Sequence, residues 1–219
     1  MVRPDAVLKI GGSLSRGGGL KPLCDSISRL GERYRLLVVP GGGDFADQVR
    51  HAYRRYELDE TAAHRMALLA MDQYGYVLNH LISGSSLTAE LTAACEETKS
   101  RVGILLPSSL LISADPLPHS WQVTSDTIAA WVAQAAHCRR LVLLKDVDGL
   151  MRSAAAEMSE LIPELTAAQL AQHAGGVDEN LSRFLATVNL ETWIINGLHP
   201  ERLCELLETN HTKGTRIKA

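Results

Sequence analysis

The sequence predicts an α/β fold whose largely parallel sheet is covered by helices on both faces, and two features of its 219 residues carry that reading. Short apolar runs alternate with longer stretches of helical periodicity, as in a chain of strand–helix units. Each of the first four runs also stops at glycine, proline or charged residues, so their carboxyl ends line one crevice. In open sheets of this class that crevice is where ligands bind.

The elements follow in order. Ala6 to Ile10, Arg35 to Val39, Val102 to Leu106 and Leu141 to Leu144 read as buried parallel strands, being short and almost wholly apolar. Thr192 to Ile195 reads as a fifth strand, and Thr215 to Lys218 as a short closing one. Helices are predicted at Leu20 to Glu32, Phe45 to Arg55, Thr61 to Ile82, Ser125 to Ala136, Ala167 to Ala174 and Glu201 to Leu207. The long helix has the clearest pattern: Ala63, Met66, Ala67, Ala70, Tyr74, Val77, Leu78 and Leu81 fall on one stripe, with Arg65, Asp72, Gln73 and Asn79 on the other side. The alanine-rich stretch from Arg152 to Glu160 reads as a flap. No repeat, low-complexity tract or proline-rich linker divides the chain, so residues 1–219 are taken as one domain.

Composition excludes several classes. Twenty-two Lys and Arg against twenty-five Asp and Glu give a formal charge of −3, which offers no positive field for nucleic acid or an anionic membrane. Cys24, Cys95, Cys138 and Cys204 form no C-x-x-C pair, which suits a reducing cytoplasm better than a disulfide framework or a zinc site. The first residues carry Arg3, Asp5 and Lys9 in place of a signal peptide's apolar centre, and no run is long enough to span a membrane. The eight histidines show no metal spacing, and His64 and Met71 read as packing or surface positions.

Four motifs carry chemistry. Lys9-Ile10-Gly11-Gly12-Ser13 follows the first strand, where glycines let backbone amides approach an anion and the lysine adds a point charge. Pro40-Gly41-Gly42-Gly43-Asp44 follows the second strand and opens a helix, whose positive end favours the same kind of ligand. Thr124-Ser125-Asp126 reads as a helix cap whose carboxylate can also orient lysines. Lys145-Asp146-Val147-Asp148-Gly149 ends the fourth strand and suits the edge of a nucleotide site; its spacing is not that of a calcium loop. There is no P-loop, no G-x-G-x-x-G and no G-x-S-x-G.

In this order, K-x-G-G-S, P-G-G-G, T-S-D-x-x-A and K-D-V-D-G resemble the amino acid kinase family, and Lys213-Gly214-Thr215-Arg216-Ile217 resembles that family's closing segment. The resemblance implies a three-layer α/β/α sandwich, with the acceptor in the N-terminal half and ATP, with Mg²⁺, over the strand ends of the C-terminal half. It implies that Lys9 stabilises charge on the transferring phosphoryl group, that Gly11, Gly12 and Ser13 donate hydrogen bonds to it, and that Asp126 organises the lysines. Gly41, Gly42, Gly43 and Asp47 would hold the acceptor; Lys145, Asp146, Asp148, Gly149 and Lys213 would border the nucleotide. It also implies a homo-oligomer paired through neighbouring helices.

Phe45-Ala46-Asp47, Ala63-His64-Arg65-Met66-Ala67, Ala70-Met71-Asp72-Gln73-Tyr74-Gly75 and His119 to Asp126 are similar to one smaller branch, the aminomethylfuran phosphate kinases of methanofuran biosynthesis. The implied reaction converts a furanmethyl monophosphate to its diphosphate at the expense of ATP. Two positions depart from the family pattern. Asn180 stands where a second lysine is expected after Gly175-Gly176-Val177, leaving Arg183 or Lys213 as substitutes, and Leu150-Met151-Arg152 replaces the usual aromatic after D-V-D-G. The first departure keeps a non-catalytic binding or storage protein on the same fold as the alternative, beside kinases of UMP or isopentenyl phosphate.

Overall fold

Alternation within the strands determines the layers. In the computed structural model, which describes residues 1–152, 160–173 and 175–218, strand β1 (Ala6–Ile10) sends Ala6, Leu8 and Ile10 to one face and Val7 and Lys9 to the other. It pairs in parallel with β2 (Leu36–Pro40) on one side and, on the other, with β5 (Arg140–Lys145). The remaining members of the sheet are β3 (Ser86–Thr88), β4 (Gly103–Leu105), β8 (Glu164–Thr166), β9 (Glu191–Asn196) and β10 (Thr215–Lys218). The order is β3-β4-β2-β1-β5-β9-β10-β8, parallel throughout except between β9 and β10. Two short strands, β6 (Met151–Arg152) and β7 (Glu160–Leu161), form a separate antiparallel pair.

One apolar layer joins the even-numbered side of β1 to α1 (Leu20–Leu30), α9 (Glu201–Thr209) and part of α3 (Glu60–Leu81). The opposite layer joins Val7, Leu37, Leu141 and Ile194 to α4 (Leu91–Glu97), α5 (Pro107–Ala114), α6 (Ser125–Ala135), α7 (Ala167–Leu170) and α8 (Glu179–Leu185). The three-layer α/β/α sandwich and its mostly parallel sheet are therefore present. The chain leaves β1 toward β2 first and reaches β5 on β1's other side later, so the crossover direction reverses beside β1. That reversal opens the crevice at the end of β1.

Several boundaries and elements differ from the sequence reading. The strands β3, β6, β7 and β8, and the helices α4, α5 and α8, are absent from it because each is short, two or three residues per strand and seven or eight per helix. The helix expected at Ala167 to Ala174 stops at Leu170, and Ala174, like most of the expected flap at 153–159, lies outside the described residues. On α3, Ala63, Ala70, Tyr74 and Leu78 are buried as the periodicity requires, yet Met66 and Val77 are each 36% exposed. They belong to a second apolar stripe that faces outward. Asp72, placed on the polar side, is half-buried: its carboxylate accepts hydrogen bonds from the amide and hydroxyl of Ser108 at the start of α5. Burial outweighs those bonds and pushes its carboxyl upward.

Candidate active site

The two glycine turns are in backbone contact. A Cβ on Gly12 would lie 2.2 Å from Cα of Gly43, so only glycine permits this approach. Gly43 has φ of 54°, the left-handed region, as the chain turns from β2 into α2 (Gly43–Tyr56). The amides of Gly11 and Gly41 close the strand ends, donating to Leu144 and Ile10 carbonyls at 3.0 and 2.9 Å. The next amides, at Gly12, Ser13, Gly42 and Gly43, precede the first intrahelical bonds of a 3-10 turn (Gly12–Gly17) and of α2, and donate to no backbone acceptor among the described residues. This cradle of free donors fits an anion.

Beneath it sits one carboxylate with two ammoniums. Asp126 is 2% exposed; its Oδ1 lies 2.9 Å from Lys9 Nζ and its Oδ2 accepts from Lys145 Nζ at 2.6 Å. Burial pushes the carboxyl upward, but the two lysines outweigh it and hold it below the usual carboxylate range. One carboxylate and two lysines carry a net charge of about +1, buried next to the free amides. Thr124, rather than Asp126, caps α6, its hydroxyl accepting from the Asp126 amide at 3.3 Å. The carboxylate is thus free for the lysines.

Lys145 also donates to the Gly176 carbonyl at 2.8 Å, tying in the turn that precedes α8. Asp178, at the end of that turn, caps α8 by accepting from the Leu181 amide at 2.9 Å and accepts from the hydroxyls of Thr124 and Thr127 at 2.8 and 2.5 Å. Asn180 donates its amide to the Gln122 carbonyl at 2.9 Å, outside the lysine cluster. Neither expected substitute pairs with Asp126: Lys213 lies 2.7 Å from Asp148, and Arg183 lines a separate cleft beside His173 and Glu179. Asp148 also accepts from Arg202 and Asn196 at 2.7 and 2.9 Å, and these partners hold its carboxyl well below the usual range. Gly149 docks against β10, where a Cβ would meet Thr215 Oγ1 at 2.5 Å, while Asp146 is exposed.

On the N-terminal side a narrow cleft enclosing about 80 Å³ runs from Gly42 between α2, α3 and the segment 115–124. Its walls include Ala46, Ala67, Met71, Val123 and Ile128, with His64, Trp121, Arg50 and Glu60 further along. Asp47 does not line it; its carboxylate pairs with Arg16 at 2.5 Å and Arg50 at 2.6 Å across the outside of α2. His64 and Met71, read from sequence as packing or surface positions, are wall residues here. Asp178 had a legible signal, an Asp placed before a helical run. Trp121 had none.

A family model described as the amino acid kinase family matches residues 6–190. The (5-(aminomethyl)furan-3-yl)methyl phosphate kinase of Methanocaldococcus jannaschii is 29% identical over 213 residues, spanning 96% of each chain. Among solved structures, uridylate kinase from Archaeoglobus fulgidus superposes with a TM-score of 0.78 at 20% identity, over 97% of this chain and 99% of that one. UMP kinases from Ureaplasma parvum and Bacillus anthracis each give 0.76, at 17% and 15% identity, covering 100% of this chain and 100% and 97% of theirs. With its matched motifs gathered at the sheet's switch point, this chain belongs to the amino acid kinase family and is a kinase.

Proposed function

We propose that the protein transfers a phosphoryl group from ATP, with Mg²⁺, to the phosphate of a small furanmethyl phosphate, giving the diphosphate. The observation that carries this is the buried Lys9–Asp126–Lys145 cluster beneath two touching glycine turns. Phosphoryl transfer asks mainly for positioning and for fixed positive charge around the moving group. The amides of Gly12 and Ser13 meet the transferring group, those of Gly42 and Gly43 hold the acceptor's phosphate, and Lys9 and Lys145 neutralise the charge that develops between them. Asp126 fixes both lysines and takes no proton. Lys145 thereby fills the place that Asn180 leaves vacant. The turn at Gly175 and Gly176 and the Asp148–Lys213 pair border the nucleotide.

ATP fits this donor set. Among the described residues no three His, Cys, Asp or Glu side chains gather to hold a metal ion, so Mg²⁺ fits here as a companion of the nucleotide's phosphates, supplying further positive charge when bound. The furan acceptor is supported by the Methanocaldococcus relative and by the cleft leading from Gly42. Four free thiols suit a reducing cytoplasm. A homo-oligomer is supported by the outward apolar stripe of α3, and a single domain by the one continuous sheet.

The test is ADP release by purified protein with Mg-ATP and a panel of furanmethyl phosphate, UMP and isopentenyl phosphate. Turnover of the furanmethyl ester above the others is expected. ATP binding without ADP release for any acceptor would overturn the reading in favour of a binding protein.

A further inference from the structure

At the end of the sheet away from the lysine cluster, the entries to β1, β5 and β9 frame a cleft of about 500 Å³, the size of a small-molecule site. Arg3, His137 and Arg139 stand on its wall, with the side-chain amides of Gln134 and Asn189. No carboxylate lines it among the described residues. The acids close by are taken by other arginines: Asp5 by Arg35 at 2.6 Å, and Glu191 by Arg140 at 3.2 Å and Arg216 at 2.6 Å. Among the described residues, Arg3 and Arg139 are left without an acidic partner.

Hydrogen bonds fasten the three entries to one another. The Cys138 thiol donates to the Pro4 carbonyl at 3.4 Å, joining the chain neighbours of Arg139 and Arg3. The Glu191 amide donates to the Arg139 carbonyl at 3.0 Å, which ties that residue to the segment carrying Asn189. A cation at a helix end can serve the helix instead, and α6 ends here. Its last turn is closed by backbone, however: the amides of His137 and Cys138 donate to the Gln134 and Ala133 carbonyls at 2.9 and 2.8 Å. Those carbonyls are satisfied without Arg139. In a chain of formal charge −3, two uncompensated guanidiniums on one polar cleft are a local excess of positive charge.

We propose that this cleft is a second ligand site, for a small phosphate-bearing anion held by Arg3 and Arg139, with His137, Gln134 and Asn189 as further donors. The planar fork of each guanidinium matches phosphate oxygens in pairs, and a phosphate group has oxygens enough for both forks where one carboxylate has two. Arg3 precedes the strand that carries Lys9, and Arg139 the strand that ends in Lys145. The site therefore lies about one strand length, about 17 Å, from the lysine cluster, and its ligand is neither phosphoryl donor nor acceptor. The inference does not depend on the acceptor assigned above.

Calorimetric titration of the full chain with inorganic pyrophosphate, in metal-free buffer, tests it. The wild type is expected to bind two pyrophosphates, one at the glycine turns and one here. The double variant Arg3→Gln, Arg139→Gln should weaken one of these events by about a hundredfold, about tenfold for each guanidinium removed, and leave the other unchanged. Both side chains are exposed, so the variant should melt as the wild type does. The double variant Arg54→Gln, Arg55→Gln removes the same charge from the exposed end of α2 and should keep both events. A single event in the wild type that survives loss of Arg3 and Arg139 would overturn the proposal. Equal weakening in the two double variants would also overturn it, by reducing the effect to net charge. Succinate binding here as tightly as pyrophosphate would overturn the phosphate class.

Discussion

Two ammoniums held by one buried carboxylate make Lys9 and Lys145 close equivalents, and variants should treat them so. On the proposed mechanism, removing either takes away charge stabilisation needed most in the transition state, so Lys9→Ala and Lys145→Ala should each lower kcat by roughly a hundredfold, about 3 kcal/mol. Nucleotide affinity should change far less. Steady-state kinetics that left kcat intact in Lys145→Ala would return that residue to the edge of the nucleotide site. Asp126→Asn leaves two lysines without their counter-charge and should cost on the order of 3 kcal/mol in stability. Because the folded state holds this carboxyl below its ordinary 3.8, its contribution is present above that value and is lost as pH falls through the lower folded pKa. Melting curves of wild type and Asp126→Asn should therefore lie well apart at neutral pH and converge below about pH 4. A gap that persisted in acid would mean the asparagine disrupts packing, not charge. Lys9, Asp126 and the glycines were legible in sequence because each sits at a strand end or helix start, where position dictates exposure to the crevice. The places of His64, Trp121 and Glu60 on the cleft wall were not, since they depend on which sides of two helices and a loop converge.

At the scale of elements, the contact between the turns after β1 and β2 is the tightest constraint at the site. Gly12→Ala must push the Gly43 backbone away, since its methyl would lie 2.2 Å from Cα, and should destabilise by about 1–3 kcal/mol while spreading the anion cradle. Gly18→Ala is the control for a helix-flanking glycine with nothing within 4 Å of the added methyl, although its φ of 72° carries its own strain. If Gly12→Ala loses no more activity than this control, the turns do not shape the site. Asp178 links α6 and α8 through Thr124, Thr127 and Leu181, so Asp178→Ala should cost about 1–3 kcal/mol in denaturant unfolding. It should also lower kcat by loosening the helix start that carries Asp126. Unchanged kcat with lowered stability would make the link purely structural. The long strands and α1, α2, α3, α6 and α9 were legible because each carries a full apolar period. The short strands β3, β6, β7 and β8 were not, for they hold too few residues to show any period, whereas the three-residue β4 was legible inside the apolar run from Val102 to Leu106.

Among the described residues, an apolar surface on the outer face of α3 is left uncovered. Along α3, Leu69 and Tyr76 are 50% and 63% exposed, and Met66 and Val77 lie beside them at helical spacing. Ile112 on the neighbouring α5 is also exposed, at 39%. Had the stripe merely covered the sheet, as the sequence period alone allows, these side chains would be buried like Ala63 and Tyr74. Aligned large apolar groups on an outer helix face instead mark an interaction surface, and a second copy of the same helix offers a matching stripe under two-fold symmetry. The formal charge of −3 opposes such pairing only weakly. Sedimentation at micromolar concentration should therefore give a mass near twice 23.8 kDa. The double variant Leu69→Glu, Tyr76→Glu should fall to the monomer mass, because it sets like charges against each other across the axis. Neither side chain lines the cleft or the lysine cluster, so the dissociated protein should keep its turnover. A wild-type mass of 23.8 kDa would refute the dimer. A variant that stayed dimeric would move the interface to another face.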